Sequence, residues 1–197
     1  GHPLQSLMLE LSQWSPLPIV SLADSIGEKV LVAGIIQSVR QLVTKRGHKM
    51  AVMTVEDRTG KLDVTIFSKL YATVQDILLP DKVVLLKGEA SNDDFSGGVR
   101  LVADKLTDIE ALRGKYAKRV CLTVDSKPAV DKLLSDLPQL TAAYRPGSCE
   151  LVVRYKNDTT SAEFKLGKDW RVDPTNTLLE SLSGLCGADS VSVDYKD

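Results

Sequence analysis

The sequence predicts two domains, a five-stranded all-β barrel followed by a small α+β domain. Short apolar runs of strand length fill residues 29–109, with one helical pattern between the third and fourth runs. A polar, charged stretch then separates them from a region in which period-two and helical patterns alternate. The expected division is a lead-in helix and linker (1–27), a barrel (28–110), a helical linker (111–119) and the α+β domain (120–197).

Alternation and turn composition locate the barrel strands. Apolar and polar side chains alternate without a break from Lys61 to Ile66, and Asp57-Arg58-Thr59-Gly60 has the composition of a hairpin turn. The five expected strands are 29–41, 50–56, 61–66, 83–90 and 99–109, with a helix near 69–79. This order describes an OB-fold, in which the loops after strands one and four flank a face that holds single-stranded nucleic acid or oligosaccharide.

Two regions outside the barrel also carry local signals. Apolar residues from Leu4 to Leu11 follow helical spacing, and this stripe must be buried on another element. The second domain reads β-α-β-β-β-α-β, with a helix start at Ser126-Lys127-Pro128 and an additional short strand at Trp170-Arg171-Val172. The last run, 190–197, is either an edge strand or a peptide-like tail.

Composition excludes several classes of protein. The net charge of −1 over 197 residues means that any attraction to nucleic acid is local. With two histidines and no phosphate-binding glycine motif, we expect no catalytic site, metal or cofactor. Asp93-Asp94 could hold a metal, but a solvated loop tip is the preferred interpretation. The three dispersed cysteines indicate buried, reduced thiols in a cytoplasmic protein, and no run is long enough to span a membrane.

The best candidate for a binding site is the basic loop after the first strand. It carries Lys45, Arg46, His48 and Lys49, and Gly47 allows the backbone to turn tightly. Such charge runs are usually solvated surface, but this one borders the ligand face of the predicted OB-fold. The candidate nucleic-acid set is completed by further cations and one ring: Arg58, Lys61, Phe95 and Arg100.

Aromatic side chains limit the strength of that binding, because single-strand binders stack bases on rings. The barrel offers only Phe67, Tyr71 and Phe95. Phe67 ends the third strand and is a candidate core residue, whereas Phe95 is either a stacking ring or a plug at the barrel mouth. Binding of single-stranded DNA is therefore expected to be weak, salt-sensitive and tolerant of sequence.

In the second domain, Trp170 is the notable residue. Tryptophan is common at interface hot spots and also as a core filler. A position near an element end favours an interface, and the candidate partner-binding set is Trp170, Arg171, Val193 and Tyr195.

Several motifs together resemble the C-terminal region of the bacterial DNA polymerase III alpha subunit. They are 44–47 (Thr-Lys-Arg-Gly), 57–60 (Asp-Arg-Thr-Gly), 93–98 (Asp-Asp-Phe-Ser-Gly-Gly) and 170–172 (Trp-Arg-Val), and the Gly-His-Pro start resembles the segment just before this region. The resemblance covers essentially the whole chain.

The resemblance implies a function for each domain. The OB domain would touch single-stranded template, and the second domain would bind the tau subunit of the clamp loader at the replisome, in the bacterial cytoplasm. The sliding clamp is a further candidate partner. The catalytic carboxylates of the family lie upstream, so this fragment is not expected to polymerise DNA. Two alternatives remain: an anticodon-type RNA-binding module, and an adaptor whose OB face binds protein.

Overall fold

The barrel closes because its first strand pairs with two different neighbours. In the computed structural model, which describes residues 3–196, β1 lies antiparallel to β4 with its first half and to β2 with its second. β3 pairs antiparallel with β2 and parallel with β5, which completes the closed order β1-β2-β3-β5-β4. The strands are β1 (Lys29–Val43), β2 (Lys49–Glu56), β3 (Lys61–Ile66), β4 (Val83–Asn92) and β5 (Val99–Asp108). The predicted five-stranded barrel is confirmed. Gly1 and His2, where the family resemblance begins, lie outside the described residues.

A bulge in β1 reverses which of its side chains face the core. The register with β2 shifts between Ile36 and Ser38. Val32 and Ile36 are fully buried before the bulge, whereas Val39 packs against the core after it. One extra residue moves every later side chain to the other face of a strand. Arg40 is therefore outward and exposed.

The predicted lead-in is built into the barrel. Helix α1 (Pro3–Leu11) packs against β1 and β4, and Leu11 is fully buried. A 3-10 segment, Ile19–Ser25, then carries Ile19 and Leu22 into the barrel core. Leu11, Ile19 and Leu22 of the lead-in are thus buried on the barrel that follows them, whereas Leu9 and Val20 stay exposed.

The Asp57 turn between β2 and β3 holds this lead-in in place. Asp57 Oδ1 accepts hydrogen bonds from the amides of Thr59 (2.7 Å) and Gly60 (3.1 Å). Its Oδ2 accepts from the amide of Ile19 at 2.9 Å, and the Thr59 hydroxyl accepts from the amide of Val20 at 3.1 Å. The turn predicted from composition is therefore also the attachment point of a distant segment.

Two helices follow individual barrel strands, α2 after β3 and α3 after β5. Helix α2 (Ser68–Val74) and the 3-10 turn Gln75–Ile77 lie within the predicted helix at 69–79 or border it. Helix α3 (Ile109–Tyr116) occupies most of the predicted linker, and its Arg113 is almost fully buried with its guanidinium bonded to the Asn176 side chain. The chain divides into two compact units, a barrel unit (residues 1–109) and a second unit (110–197).

The second unit is a four-stranded sheet with two helices on one face. The sheet order is β8-β7-β6-β9, with β6 and β7 parallel and both outer strands antiparallel to their neighbours. Ser126 caps α4 through its hydroxyl, as its position before Pro128 predicts. The elements are β6 (Arg119–Val124), α4 (Lys127–Thr141), β7 (Glu150–Lys156), β8 (Ser161–Lys165), α5 (Asn176–Cys186) and β9 (Val191–Asp194).

The additional strand predicted at residues 170–172 is wrong. Trp170 ends a 3-10 turn, Lys168–Trp170, and Val172 forms a single antiparallel bridge to Cys149. Pro174 has no N–H to donate, so a ladder cannot continue beyond Asp173.

No helix in the described part of the chain is both long and apolar enough to cross a membrane.

Replacing Asp57 tests the role of the turn. Asp57→Ala leaves the amides of Ile19, Thr59 and Gly60 without their acceptor, so we expect the free energy of unfolding to fall by about 2 kcal/mol. Urea denaturation measures the change. Asp94→Ala, an exposed loop carboxylate, is the matched control and is expected to change stability by less than about 0.5 kcal/mol. Equal effects of the two substitutions would contradict an anchoring role for the turn.

Candidate nucleic-acid interface and partner surface

The outer face of β2 and β3 is the surface that the barrel presents between its two predicted binding loops. Two cross-strand rows lie in the middle of this face. Arg40, Val52, Thr65 and Val102 are in register in one row, and Ser38, Thr54, Asp63 and Arg100 in the next. The Thr54 hydroxyl donates to Asp63 Oδ1 at 2.9 Å, and Arg100 Nε donates to the Ser91 hydroxyl at 3.1 Å. The middle of the face is thus polar and carries side chains that are bonded to one another.

The β1–β2 loop (residues 44–48) presents its cations to solvent. Its ends are joined because the Thr44 amide donates to the His48 carbonyl at 2.8 Å and the His48 amide to the Thr44 hydroxyl at 3.1 Å. Gly47 has a φ of +82°, which a residue with a side chain rarely adopts. Lys45, Arg46, His48 and the neighbouring Lys49 are all exposed. The loop is locally fixed while its charged stems are free to reach a ligand.

The β4–β5 loop (residues 93–98) is organised around one carboxylate. Asp93 accepts from the Ser96 hydroxyl at 2.7 Å and from the Phe95 amide at 3.1 Å. These two hydrogen bonds hold the pKa of Asp93 below its usual value of 3.8. Phe95 is fully exposed at the tip, so the interpretation of this ring as a plug in the barrel mouth is wrong.

The predicted cations fall into two groups at opposite ends of the face. Lys45, Arg46, His48 and Lys49 lie where β1 and β2 meet, whereas Lys61 and Arg100 lie toward the β4–β5 loop. Arg58 is exposed on the Asp57 turn, which precedes Lys61. Eight residues of β2 at about 3.3 Å each separate the two ends by roughly 25 Å.

Phe67 and Arg40 are the residues on this face that sequence reasoning missed. Phe67 is 52% exposed, not a core residue, because it continues the alternation of β3 past the inward Ile66. That alternation was a usable signal. The outward position of Arg40 had no such signal, since it depends on the β1 bulge. Phe67 places a solvent-exposed ring near the end of the face that borders the β1–β2 loop.

Trp170 has a half-buried ring in the second unit. It packs partly against the core, and the Arg145 guanidinium lies over its ring at 4.2 Å from the centroid. Arg145 also donates to the carbonyls of Asp169 (3.3 Å) and Pro138 (3.4 Å). Trp170 therefore contributes to packing and to the surface, and Arg171 beside it is exposed.

Val193 cannot be the surface contact that the sequence suggested. It is 3% exposed and belongs to the core beneath the helices, because β9 turns this side chain inward. Tyr195, which follows the strand, is half-buried against the same core. Within the run at 190–197, residues 191–194 form an edge strand, so the interpretation as an edge strand is correct for these four residues.

The cysteines and one cavity of the second unit offer little reactive chemistry. A cavity of about 320 Å³ lies at the end of β6 between α4 and α5, with Asp125, Lys132 and Cys186 in its lining. Burial raises the pKa of the Cys186 thiol, which keeps it protonated at neutral pH. All three cysteines are free, and residues 3–196 contain no group of three His, Cys, Asp or Glu side chains placed to hold a metal.

Comparison with known families agrees with this architecture. Residues 30–109 match the model of an OB-fold nucleic acid binding domain, and residues 136–187 match that of the DNA polymerase III subunit alpha, C-terminal domain. DNA polymerase III subunit alpha of Escherichia coli K12 is 31% identical over 99% of this chain. Over nearly its whole length the chain is similar to one part of the bacterial DNA polymerase III alpha subunit. The resemblance drawn from the motifs is thereby confirmed.

The match covers a small part of each relative. The aligned region is 17% of the Escherichia coli protein, and 16% of the Pseudomonas aeruginosa protein, which is 32% identical over 100% of this chain. The chain thus spans about one sixth of the curated relatives it matches.

Solved structures that resemble part of this chain are distant. A domain of replication protein A from Methanococcus maripaludis is 13% identical with a TM-score of 0.35, over 43% of this chain and 86% of that chain. A mitochondrial single-stranded DNA binding protein from S. cerevisiae is 15% identical with a TM-score of 0.36, over 42% and 96%. The barrel is an OB-fold by its own closed strand order and by the family match over residues 30–109.

Acidification tests the Asp93 loop. The folded pKa of Asp93 lies below the unfolded value, so its carboxylate stabilises the loop fully above 3.8 and loses this effect as the pH falls through the folded pKa. We expect the Phe95 amide to lose protection from hydrogen exchange below pH 3.8. Amide NMR between pH 7 and pH 2 measures this. The same transition in Asp93→Asn would rule out Asp93 as its source.

Proposed function

We propose that this chain is a non-catalytic module of a bacterial replicative DNA polymerase. The barrel unit contacts single-stranded template DNA, and the second unit binds the tau subunit of the clamp loader. The relationship to the DNA polymerase III alpha subunit over the whole chain supports the polymerase context. The exposed cations of the β1–β2 loop, at one end of an OB-fold face, are the observation on which the DNA contact rests.

The face between the two loops suits a strand held by its phosphates. Cations at either end of the face, Lys49 and Lys61 among them, can neutralise phosphates, and the exposed rings of Phe67 and Phe95 can stack on bases. Between these ends Thr54 and Asp63 bond to each other. Two rings and a barrel with equal numbers of acidic and basic side chains over residues 28–110 favour weak, sequence-tolerant binding.

Weak binding is adequate for a tethered module. A polymerase bound to its template supplies a high effective concentration of the strand, so the barrel needs little affinity of its own. The module would act where the replisome is assembled, at the nucleoid in the bacterial cytoplasm. The sliding clamp is a further candidate partner there.

Fluorescence anisotropy of a labelled single-stranded oligonucleotide at two salt concentrations tests the DNA contact. Substituting Lys45, Arg46 and Lys49 together by Ala should weaken binding about tenfold or more at low salt. The slope of log affinity against log salt should become shallower by about 2, since each phosphate contact contributes about 0.7. Phe67→Ala should cost about 1–3 kcal/mol in affinity without changing the salt slope.

The matched control removes three exposed lysines elsewhere, at Lys87, Lys105 and Lys127. Because it changes the net charge equally, it separates local contact from a general charge effect. Equal losses in the two triple variants would contradict a site at the β1–β2 loop. Preference for structured RNA would instead favour the anticodon-type module. Absence of binding at low salt would favour the protein-binding adaptor.

The proposal for the second unit depends on its half-buried tryptophan. Tryptophan is enriched among interface hot spots, and the Trp170 ring is held in a defined orientation by the Arg145 guanidinium. Exposed Arg171 and half-buried Tyr195 are the further candidate contacts with tau.

Trp170→Ala is expected to weaken tau binding by at least tenfold, about 1.4 kcal/mol, because it removes the ring from the surface. Isothermal titration calorimetry with the tau subunit measures the affinity, and circular dichroism establishes that the unit remains folded. Leu134→Ala, a truncation of a 47% exposed side chain on α4, serves as the matched control and should leave the affinity unchanged. Normal affinity of folded Trp170→Ala would reject this residue as a hot spot.

A further inference from the structure

The face of the second sheet that lies opposite its helices carries a network of charged side chains from all four strands. Arg154 of β7 donates from Nε to Glu163 of β8 at 2.9 Å and from Nη2 to Asp194 of β9 at 3.2 Å. Arg119 of β6 approaches the same Asp194 Oδ2 at 3.8 Å. We call Arg119, Arg154, Glu163 and Asp194 the cross-strand network. Its charges are between one fifth and one half exposed, and networks of this kind are more effective than isolated surface pairs.

Asp194 is the member of this network on the shortest strand of the sheet. β9 has four residues, lies at the edge of the sheet and pairs only with β6. Val193 is its one deeply buried side chain. The network continues past the strand, because Arg119 Nη1 donates to the carbonyl of Lys196 at 2.8 Å. Side chains of β6 and β7 thus contact both β9, at Asp194, and the chain just beyond it, at Lys196.

We propose that Asp194 is a positioning residue that fixes β9, Tyr195 and Lys196 on the sheet in the arrangement that the partner protein recognises. The partner role itself rests on the proposed function. Asp194 acts through Arg119 and Arg154, and it is not assigned a contact with the partner.

Two buried cysteines report separately on release of β9 and on unfolding. Cys121 lies on the network side of the sheet, and its thiol donates to Asp194 Oδ2 at 3.4 Å. Cys149 lies in the helix-covered core, with its thiol directed to the Ala117 carbonyl at 3.4 Å. Both are fully buried. Burial is the main cause that raises the pKa of the Cys121 thiol to about 12, and the nearby Asp194 is the second. The thiol therefore resists alkylation as long as β9 remains paired with β6.

The experiment measures alkylation of each cysteine by iodoacetamide in the full chain, using mass spectrometry, together with affinity for the tau subunit. Asp194→Asn removes the charge that both arginines contact, so Cys121 should react about tenfold faster while Cys149 stays protected. Tau affinity should fall by at least fivefold. Arg154→Gln should act in the same direction and is the deciding variant. Asp194→Asn also removes a carboxylate that raises the pKa of Cys121, whereas the Arg154 cation lowers that pKa, so faster alkylation after loss of Arg154 reports release of β9 and not a lowered thiol pKa. Asp158→Asn, in the β7–β8 turn, is the matched control and should change neither quantity.

Other results of the alkylation and affinity measurements would overturn the proposal or one of its parts. Unchanged Cys121 reactivity in Arg154→Gln would overturn the proposal, as would faster reaction of both cysteines, which would make the network a general stabiliser of the unit. Faster Cys121 reaction with unchanged tau affinity would overturn the positioning role. Failure of the unsubstituted chain to bind tau would reject the proposed partner and with it the recognition step, while the alkylation rates would still decide whether Asp194 holds β9.

Discussion

The pairing of β1 with two strands is the constraint on which the barrel unit depends. Its first half bonds to β4 and its second half to β2, so one strand belongs to both sides of the barrel. A strand in this position must bend, and the bulge between Ile36 and Ser38 provides the bend. The bulge also determines which side chain of β1 reaches the surface. It exchanges the inward and outward positions of the strand, so Val39 packs against the core and Arg40 points outward.

Closure also determines where the binding loops lie. The parallel pairing of β3 with β5 places Arg100 beside Asp63, and so brings the β4–β5 loop to one end of the β2–β3 face. The β1–β2 loop lies at the other end. The Asp57 turn contributes in a different way, since it secures Ile19 and the lead-in segment rather than a ligand. One family motif is therefore structural, while the basic motif at 44–47 is solvent-facing and available for contact.

In the second unit, the two faces of the sheet differ, since one is apolar and covered by helices and the other carries charged side chains. Helices α4 and α5 cover one face over residues such as Leu122 and Leu151, and the opposite face carries arginines and carboxylates. Cys121 is nevertheless fully buried on the polar side, beside Asp194. The ionic face is therefore partly exposed at its charges and closed to solvent at Cys121.

The sequence by itself determined the features that depend on neighbours along the chain. Alternation over 61–66, the Asp57 turn, the Ser126 helix cap and the exposed β1–β2 loop all follow from local chemistry, and each was predicted. The tertiary structure alone decided the direction of Arg40, the burial of Val193, the single bridge at Val172 and the meeting of Arg154 with Asp194. These depend on which strands pair and in which register, and alternation within one strand does not encode the identity of its neighbours. Phe67 lies between the two cases, because its outward direction followed from local alternation but its exposure depended on what the barrel leaves uncovered.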